Sequence, residues 1–414
     1  MQYGLIGKKL GHSFSKEVHA ALADYEYELL ELPDEKAVGE FLKKKNFRAI
    51  NVTIPYKQTV IPYLAEISPE ACAIGAVNTV INRDGRLCGF NTDFYGVTKA
   101  LARMGLTDAK GKKALVLGTG GTSLTVSAVL HALGAAEIRA VSRTPNGVTV
   151  SYEDAVSTHS DADIIVNTTP VGMFPNSDGC PIDLSAFSRL SVVFDAIYNP
   201  LKTRLVLNAK ERGIAADTGL YMLVAQGFRA VELFLDKSLD TALLDATYEK
   251  ILRQKQNIVL IGMPASGKTT VGRMLAEATG RPFMDLDDEI VTLAGKDIPS
   301  IFRDEGEEGF RNIESEAVRI AAQKTGAVIA TGGGAVLRKE NVVRLKQNGI
   351  LCLLDRPLEA LTPTSDRPTA SSRAAIEARY RERRPIYLAA QDHTFPVGEN
   401  FTAVADRIRK ELVL

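Results

Sequence analysis

The sequence has only four cysteines among its 414 residues and no excess of charge of either sign. Lysine and arginine together number 50, and aspartate and glutamate also number 50. A nucleic-acid-binding protein needs a basic excess to neutralise phosphates, and so does a protein held by charge on an acidic membrane surface. We therefore expect no nucleic acid and no membrane among the partners of this chain.

The cysteines and the apolar runs argue against two further classes of protein. Cys72, Cys88, Cys180 and Cys352 are too widely spread for a disulfide framework, and no pair has the spacing of metal ligands. The segment MQYGLIGKKLGHSFS lacks the apolar core of a signal peptide, and no apolar run approaches the ~20 residues of a membrane span. The sequence therefore predicts a folded, cytoplasmic protein with reduced thiols.

Short apolar runs alternate with segments of helical periodicity along most of the chain. Such alternation predicts crossover connections, mainly parallel sheets and an α/β fold class. The predicted strands are Tyr3–Ile6, Ala49–Thr53, Lys113–Leu117, Glu137–Val141, Ile164–Asn167, Val192–Ala196, Asn257–Ile261, Ala327–Ala330 and Ile350–Leu354. Helical periodicity is clear in Ser123–Leu133, Thr269–Ala278 and Glu314–Gln323. Two glycine-rich turns of different kinds each follow a strand and precede a helix, which indicates two different nucleotide sites.

The second glycine turn is the stronger signal. Residues 262–269 read GMPASGKT, the complete P-loop pattern, between an apolar strand and a helix. Gly262 and Gly267 let backbone N–H groups face phosphate oxygens, and the helix N-terminus adds the positive end of its dipole. The pattern predicts that Lys268 reaches the β- and γ-phosphates of ATP and that the Thr269 hydroxyl ligates Mg²⁺.

Two motifs after the P-loop each have an ordinary structural explanation when taken alone. Asp285 and Asp287 lie two residues apart at the end of a predicted strand, so both carboxylates should point the same way. One could serve Mg²⁺ through water while the other accepts from a substrate hydroxyl, although a solvated acidic run has the same pattern. Arg311, at a predicted helix start, could bind a substrate or simply pair with Glu308 or Glu314.

Three more segments complete an ordered set. They are TGGGA with Gly332–Gly334, then Asp366–Arg367–Pro368, and finally Arg383–Arg384–Pro385–Ile386–Tyr387. The order P-loop, D-x-D, F-R-x-I-E, G-G-G, R-P and R-x-P-I-Y resembles shikimate kinase over residues 257–414. This resemblance implies a P-loop kinase domain with a parallel sheet, and it implies ATP and Mg²⁺ as cofactors.

The resemblance also implies the roles of single residues. Shikimate would be bound by Asp287, Arg311, Gly333 and Arg383. The Arg311 and Arg383 guanidiniums suit its carboxylate, and Asp287 suits its hydroxyls and can act as, or orient, the base. Arg367, in the lid, would stabilise the transferring phosphoryl group, so that the catalytic set is Asp287, Arg367 and Lys268. The nucleotide would contact Gly262, Ala265, Gly267, Lys268, Thr269 and Thr270, and Mg²⁺ would be served by Thr269 and Asp285. Ala360 stands where the family often has an arginine against adenine.

The first glycine turn lies in the segment ALVLGTGGTSLTVSAVL. Gly118, Gly120 and Gly121 belong to a dinucleotide-binding pattern in which Ser123 replaces the last glycine, so a purely structural turn is an alternative. The next predicted strand ends in Ser142, Arg143 and Thr144. An NAD site would have an acidic residue there for the ribose hydroxyls. Arg143 instead suits the 2′-phosphate and favours NADP(H).

Polar segments upstream form a second ordered set: LGHSFSKEVH, NVTIPYK, AVNT and GFNTD, with NTTPVGM, DAIYNP and GLYMLVAQG after the turn. Together they resemble shikimate dehydrogenase over about residues 1–255. The family's catalytic pair falls on Lys57 and Asp93. Hydride delivery to a ketone leaves an alkoxide, to which Lys57 can give a proton while Asp93 orients it and keeps it charged.

The same resemblance implies the ligand contacts of this half. Substrate would be held by Ser13, Ser15, Thr53, Asn78, Tyr198 and Gln226. The cofactor would contact Gly118, Gly120, Gly121, Ser142, Arg143, Thr144, Thr168 and Gly219. His12 and His19 are interpreted as structural residues.

The two resemblances support each other because the product of one reaction is the substrate of the other. They predict a bifunctional enzyme that reduces 3-dehydroshikimate with NADPH and phosphorylates the resulting shikimate with MgATP. The predicted domains are a substrate domain at 1–100, a Rossmann domain at 101–255 whose last helices return to the substrate domain, and a kinase domain at 257–414. Quinate as a substrate, a related small-molecule kinase, or a non-catalytic regulatory half remain alternatives, and a homodimer is left open.

Overall fold

The computed structural model describes residues 1–11, 13–361 and 373–414. These residues form two compact units, 1–251 and 252–414, and the division falls inside the helix Ala242–Lys255. Within the described ranges, no helix is long and apolar enough to cross a membrane.

The strands of the first unit build two sheets, and those of the second unit build one. In chain order the strands are β1 Tyr3–Gly7, β2 Tyr27–Glu31, β3 Ala49–Val52, β4 Glu66–Ile67, β5 Thr79–Arg83, β6 Arg86–Phe90, β7 Lys113–Leu117, β8 Glu137–Val141, β9 Ile164–Asn167, β10 Val192–Asp195, β11 Ala215–Thr218, β12 Asn257–Ile261, β13 Phe283–Asp285, β14 Val328–Ala330, β15 Gly349–Asp355 and β16 His393–Pro396. Every strand predicted from the sequence is present, with ends that differ by at most a few residues.

The helices connect successive strands and cover the sheets. They are α1 Ser15–Leu22, α2 Glu35–Lys44, α3 Pro69–Ile74, α4 Thr92–Arg103, α5 Gly121–Ala132, α6 Tyr152–Ser157, α7 Arg204–Glu211, α8 Leu220–Leu235, α9 Ala242–Lys255, α10 Lys268–Thr279, α11 Leu286–Ala294, α12 Ile298–Ala322, α13 Lys339–Asn348, α14 Arg373–Ala390 and α15 Phe401–Glu411. Helix α12 is broken at Gly306, whose φ of 69° and ψ of −171° are not helical.

The first sheet, in the order β2-β1-β3-β5-β6-β4, is mixed rather than parallel. Strand β5 runs antiparallel to both β3 and β6. The β5–β6 pair has a local cause, because Asp84 and Gly85 join these strands and both have positive φ angles, 52° and 86°. This is the backbone that a two-residue hairpin turn requires, and it replaces the helical crossover of a parallel pair.

The other two sheets are wholly parallel, as expected for strands that are buried apolar runs. The second sheet has the order β11-β10-β9-β7-β8, and the third has the order β13-β14-β12-β15-β16. Strands β7 and β12, which precede the two glycine turns, are inner strands of these sheets. Ligands of open parallel sheets bind beyond the carboxyl ends of the strands, so this edge is where the sites should lie.

Candidate active sites

The predicted cofactor residues of the first unit lie beyond the carboxyl ends of neighbouring strands of the second sheet. The turn Gly118–Gly121 follows β7, Ser142–Thr144 follows β8, Thr168 follows β9 and Gly219 follows β11. Because these strands are parallel neighbours, the fold brings together segments that are up to about a hundred residues apart in the chain.

The first glycine turn has the backbone that a phosphate-binding turn needs. Gly118 has a φ of 108°, and a Cβ there would lie 2.8 Å from the Thr168 hydroxyl oxygen. Gly120 is the N-cap of α5, and Ser123 donates a hydrogen bond to the Gly118 carbonyl at 2.8 Å. Ser123 therefore closes the turn from inside, which explains why the missing third glycine does not disrupt it.

The segment after β8 carries the predicted specificity residue. The Thr144 N–H donates to the Ser142 hydroxyl at 3.2 Å, which gives a tight turn, and Arg143 between them is exposed. None of these three residues is acidic, so the ribose hydroxyls would find no carboxylate in this turn. Its cation is available to a 2′-phosphate.

Gly219 and Tyr198 lie beyond the ends of β11 and β10. The Gly219 N–H donates to the Ile197 carbonyl at 2.9 Å, and a Cβ at Gly219 would lie 2.1 Å from the Ala196 carbonyl oxygen. Only glycine therefore fits this position. Tyr198 packs against Phe14, with ring centroids 5.2 Å apart, and burial raises its pKa while a hydrogen bond with Ser13 opposes that rise.

Asp195, which ends β10, holds this loop in place. Its carboxylate accepts from the Asn167 amide at 3.0 Å, the Ile197 N–H at 3.1 Å and the Thr203 hydroxyl at 2.8 Å. Burial raises its pKa to about 7, and the three donors oppose that rise. The sequence motif DAIYNP thus supplies an anchor two residues before Ile197 and three before Tyr198.

The predicted substrate residues from the first sheet and α8 form a buried polar network. The Asn78 side chain accepts from the Thr92 N–H at 2.7 Å, and its amide donates to the Thr92 hydroxyl at 3.0 Å and to Gln226 at 3.5 Å. Thr79, which the sequence analysis did not single out, donates to Asn78 at 3.1 Å. Its position directly after Asn78 in the sequence was the signal that could have identified Thr79 as part of this network.

The other predicted substrate residues lie on the loops around this network. The Ser15 N–H donates to the Ser13 hydroxyl at 3.2 Å, so the two serines form a local turn at the start of α1. The Thr53 N–H donates to the Ile6 carbonyl at 3.0 Å, just beyond β3. The structure brings Tyr198 to Ser13 and joins Asn78 to Gln226, and the roles assigned to all of these residues stay predictions.

Lys57 and Asp93 form an ion pair with 2.5 Å between Nζ and Oδ2. Their side chains are only 11% and 7% exposed, so the pair is largely withdrawn from water. Asp93 lies in the first turn of α4, where Asn91 caps the helix by accepting from the Phe94 N–H. A Cβ at Gly121 would lie 3.4 Å from Lys57 Cδ, so the cofactor turn lies directly against this lysine.

His19 is fully buried and packs flat against Tyr27, with ring centroids 3.8 Å apart. Its Nδ1 is 2.7 Å from the Tyr25 hydroxyl, and burial lowers its pKa to about 3. These contacts favour the structural interpretation. His12 lies outside the described residues.

The second unit places its site at the carboxyl edge of the third sheet. The P-loop follows β12, and positive φ angles at Gly262 (144°), Ala265 (63°) and Gly267 (92°) curl its backbone. Helix α10 begins at Lys268, whose Nζ donates to the Gly262 carbonyl at 3.0 Å and to the Met263 carbonyl at 2.9 Å. In the part of the chain that the structure covers, the buried Ser266 hydroxyl has no hydrogen-bond partner. A loop of this shape with an orphaned hydroxyl fits a bound polyphosphate.

Thr269 and Asp285, the two predicted magnesium residues, lie next to each other. The Thr269 hydroxyl donates to Asp285 Oδ2 at 2.7 Å, so a hydroxyl and a carboxylate meet beside the P-loop. Thr270 follows in the first turn of α10 and is exposed. Among the described residues no cluster of three or more acidic, histidine or cysteine side chains could hold a metal by itself. The pair therefore fits an ion whose remaining ligands are phosphate and water.

One geometric prediction about the acidic motif is wrong. Asp285 ends β13, but Asp287 lies in the first turn of α11, and Asp285 caps that helix by accepting from the Asp287 N–H at 3.0 Å. The two carboxylates are therefore not placed by the alternation of a strand. Asp287 Oδ1 and Glu314 Oε1 lie 3.0 and 3.1 Å from the Cβ position of Gly332, so both face the glycine segment.

Arg311 pairs with Glu314, one of the two partners considered for it, and its role in binding a substrate stays a prediction. It is buried inside α12, five residues after the break at Gly306 rather than at a helix start. Its guanidinium donates to Glu314 at 2.7 Å and to Glu307 at 3.3 Å, whereas Glu308 pairs with Arg338 instead. Burial raises the pKa of Glu314, with Arg311 opposing. A Cβ at Gly334 would lie 2.0 Å from Arg311 Nη1, so the guanidinium lies directly against the glycine backbone.

Arg383 and Tyr387 approach the same segment from α14. The Arg383 guanidinium donates to the Gly333 carbonyl at 3.1 Å, and the Tyr387 hydroxyl donates to the same oxygen. The structure thus brings together Asp287, Arg311, Gly333 and Arg383. Arg367 lies outside the described residues.

Sequence reasoning did not select Glu314 as a site residue, and it passed over Arg379 altogether. Arg379 precedes Arg383 by four residues on α14, and this helical spacing was the available signal.

Comparison with known proteins identifies both units. The family model described as the shikimate dehydrogenase substrate binding domain matches residues 5–80, and the shikimate kinase model matches residues 264–413. Shikimate dehydrogenase (NADP(+)) of Clostridium perfringens strain SM101 is 37% identical over 266 residues, which are 60% of this chain and 97% of that protein.

Solved structures agree for the first unit. Shikimate 5-dehydrogenase from Thermus thermophilus, in complex with NADP(H) and shikimate, has 33% identity and a TM-score of 0.54 over 60% of this chain and 99% of that chain. Quinate dehydrogenase from Corynebacterium glutamicum, in complex with NAD, has 27% identity and a TM-score of 0.54 over 61% and 98%. The predicted families and α/β fold class are confirmed: the chain belongs to the shikimate dehydrogenase family and carries a shikimate kinase domain in its C-terminal part.

Proposed function

We propose that this chain catalyses two successive reactions on one small acid. The first unit reduces 3-dehydroshikimate to shikimate with NADPH, and the second phosphorylates shikimate to shikimate 3-phosphate with MgATP. The proposal depends on the presence of two sites in one chain. In the first unit, the buried pair Lys57–Asp93 lies against the dinucleotide turn. In the second unit, a P-loop lies beside a glycine segment that is lined by arginines.

In the first unit, NADPH supplies a hydride to the substrate carbonyl. The chain must then provide a proton where negative charge develops on the oxygen. Lys57 is suited to this because its ammonium is nearly buried and held at 2.5 Å by Asp93, so no reorganisation is needed to present a cation there. The neutral network around Asn78 and Gln226 would bind the substrate's hydroxyls and orient the carbonyl towards Gly121 and Lys57.

In the second unit, MgATP supplies the phosphoryl group. Arg311 and Arg383 are rigid guanidiniums directed at the Gly332–Gly334 segment, which suits the carboxylate of the acceptor. Asp287, facing the same segment, would accept the proton of the attacking hydroxyl. Lys268 would leave the P-loop carbonyls that it contacts here to neutralise phosphate charge, and Thr269 with Asp285 would hold the ion.

A coupled assay tests the whole proposal. Purified protein would receive 3-dehydroshikimate, NADPH and MgATP, and shikimate 3-phosphate would be followed by mass spectrometry. We expect one NADPH oxidised and one ATP consumed for each product molecule. Omission of ATP should stop the sequence at shikimate. Failure of NADPH oxidation, or failure to phosphorylate added shikimate, would refute the corresponding half.

A second candidate for the first unit is a quinate dehydrogenase that uses NAD, because the quinate enzyme from Corynebacterium glutamicum is among the similar structures. The turn after β8 favours NADP(H), since it presents exposed Arg143 and no carboxylate. Oxidation of quinate with NAD⁺ at a rate above that of shikimate with NADP⁺ would favour the second candidate.

We further propose a cytoplasmic location, in keeping with four free cysteines, and no nucleic-acid or membrane partner, in keeping with the balanced charge. The chain could act as a monomer or as a homodimer, and sedimentation at several protein concentrations would distinguish these two states. The predicted domain limits at 1–100, 101–255 and 257–414 also stay proposals, which limited proteolysis would test.

A further inference from the structure

Two buried arginine nitrogens of α14 have no hydrogen-bond partner among the described residues. Arg383 Nε and Arg379 Nη1 are both inaccessible to solvent, and neither has a hydrogen-bond partner within the residues that the structure covers. A buried guanidinium N–H without an acceptor is costly, because burial removes the water that would otherwise bind it. Two such donors at one place indicate that a ligand with acceptor atoms completes the site.

Helix geometry puts the two donors on one face. Arg379 and Arg383 lie four residues apart on α14, so their side chains are neighbours, and Tyr387 continues the same row. Arg383 and Tyr387 both bond to the Gly333 carbonyl, which fixes this face against the glycine segment. Arg381, between them in sequence, is exposed on another face. Arg379 is thus one turn along the row that already lines the acceptor site.

The charges around Arg379 are those of the acceptor site. Its pKa is lowered first by burial and next by the positive charge of Arg383, and Arg311 acts in the same direction while Glu307 opposes them. Glu307 is itself a partner of Arg311, at 3.3 Å. Three guanidiniums therefore crowd one site, and an anion placed among them would relieve the repulsion that they exert on one another.

We propose that Arg379 is a third substrate-binding arginine, which together with Arg311 and Arg383 binds the carboxylate of the phosphoryl acceptor. The proposal rests on the kinase function stated above and adds to it a specificity-determining contact. A carboxylate has two oxygens and about four acceptor positions, enough to accept from all three guanidiniums. Two of the charges that act on Arg379 belong to Arg383 and Arg311, both of which lie against the Gly332–Gly334 segment.

The test compares Arg379→Leu with wild type and uses shikimate methyl ester as a ligand without the negative charge. We expect the KM for shikimate to rise roughly 10- to 100-fold, the range of a lost charge-assisted contact. The inhibition constant of the ester, the KM for ATP and kcat should each stay within about threefold. Arg381→Leu, on the exposed face of the same helix, is the matched control and should change none of these values.

Three outcomes would overturn the proposal. They are an unchanged KM for shikimate, an equal weakening of shikimate and its ester, or a loss confined to the KM for ATP, which would place Arg379 on the nucleotide. If Arg379→Leu fails to fold by circular dichroism, Arg379→Gln and Arg379→Lys take its place, and Lys should recover part of the shikimate affinity that Gln loses. Wild-type protein that does not phosphorylate shikimate would refute the kinase function itself, so the two failures are distinguishable.

Discussion

The two substrate sites are proposed to bind the same molecule with different chemistry. In the first unit the side chains around the predicted site are neutral amides and hydroxyls, from Asn78, Thr92 and Gln226, with a single ion pair at Lys57. In the second unit the site is built from guanidiniums and carboxylates. Arg311 donates a hydrogen bond to Glu314, and Arg383 donates to the Gly333 carbonyl of the glycine segment. In the proposed function, the first arrangement would bind mainly through neutral hydrogen bonds, and the second would bind the carboxylate through charge.

The difference follows from what each reaction changes. Reduction alters one oxygen of the ring, so a single buried cation at that oxygen suffices, and the remaining contacts only need to orient the molecule. Phosphoryl transfer brings several negative charges close to an anionic acceptor, so cations must neutralise both. Four predictions test this difference and are given in decreasing order of the expected change.

Lys268→Ala should have the largest effect, a loss of kinase rate of at least about 1,000-fold, because it removes the cation of the P-loop. It should leave the dehydrogenase rate unchanged, since Lys268 bonds within its own loop. Both rates would be measured on the same preparation. Lys410→Ala, an exposed lysine of the same unit, is the control. Loss of both activities with an intact circular dichroism spectrum would contradict independent sites.

Lys57→Ala should lower the dehydrogenase rate by about 10²–10⁴-fold, the usual range for a general acid, and should spare phosphorylation of added shikimate. Removal of the lysine also leaves Asp93 buried without its cation, so thermal unfolding should be recorded alongside. Lys36→Ala, on the exposed side of α2, serves as the control. A variant that keeps more than about a tenth of the wild-type rate would show that Lys57 is not the proton donor.

Arg143→Ala should lower kcat/KM for NADPH by about 10-fold or more while leaving that for NADH within about twofold, because only NADPH has the 2′-phosphate. This result would show that the first unit uses an arginine to bind its cofactor, although its substrate site is mainly neutral. Arg139→Ala, also exposed but paired with Glu137, is the control. Equal losses with both cofactors would remove Arg143 as the discriminator.

Ionic strength should separate the two substrate sites by the smallest effect. Raising KCl from about 50 to about 500 mM at saturating nucleotide shortens the screening length several-fold. The KM for shikimate should rise a few-fold in the kinase reaction and by less than about twofold in the oxidation of shikimate with NADP⁺. A larger rise in the dehydrogenase would mean that its site depends on charge more than the neutral network suggests.

The sequence was sufficient for the elements that are buried on both faces. Strands β7, β9, β12 and β15 are continuous apolar runs, and each was predicted. Strand β2 was missed because it is an edge strand with exposed Glu28 and Leu29, so its pattern is neither apolar nor alternating. The β5–β6 hairpin carries a clear local signal, because Asp84–Gly85 between two short strands is the sequence that a two-residue turn favours.

The sites show the same limit in a different form. Motifs with fixed local spacing, such as the P-loop, led directly to Lys268 and Thr269. Arg379 belongs to no such motif. It lies among several arginines in residues 373–384, so its spacing of four residues from Arg383 is a weak signal, and burial then distinguishes it from exposed Arg381. The strand placement assumed for both Asp285 and Asp287 is wrong because the chain turns from strand to helix between them, and the side chain of Asp285 itself caps that helix.

The contact between Gly121 and Lys57 has a consequence for protein engineering. A methyl group at residue 121 would lie 3.4 Å from the Lys57 side chain and 3.7 Å from that of Ala76, and Asn91 also bonds across to Thr125 of α5 at 3.2 Å. The cofactor-binding half of the first unit therefore contacts the substrate half through specific side chains and cannot be replaced without regard to them. A chimera that imports another dinucleotide-binding half must keep a small residue, glycine or alanine, at the position of Gly121 and an acceptor at that of Thr125, because a side chain longer than a methyl group would press against Lys57.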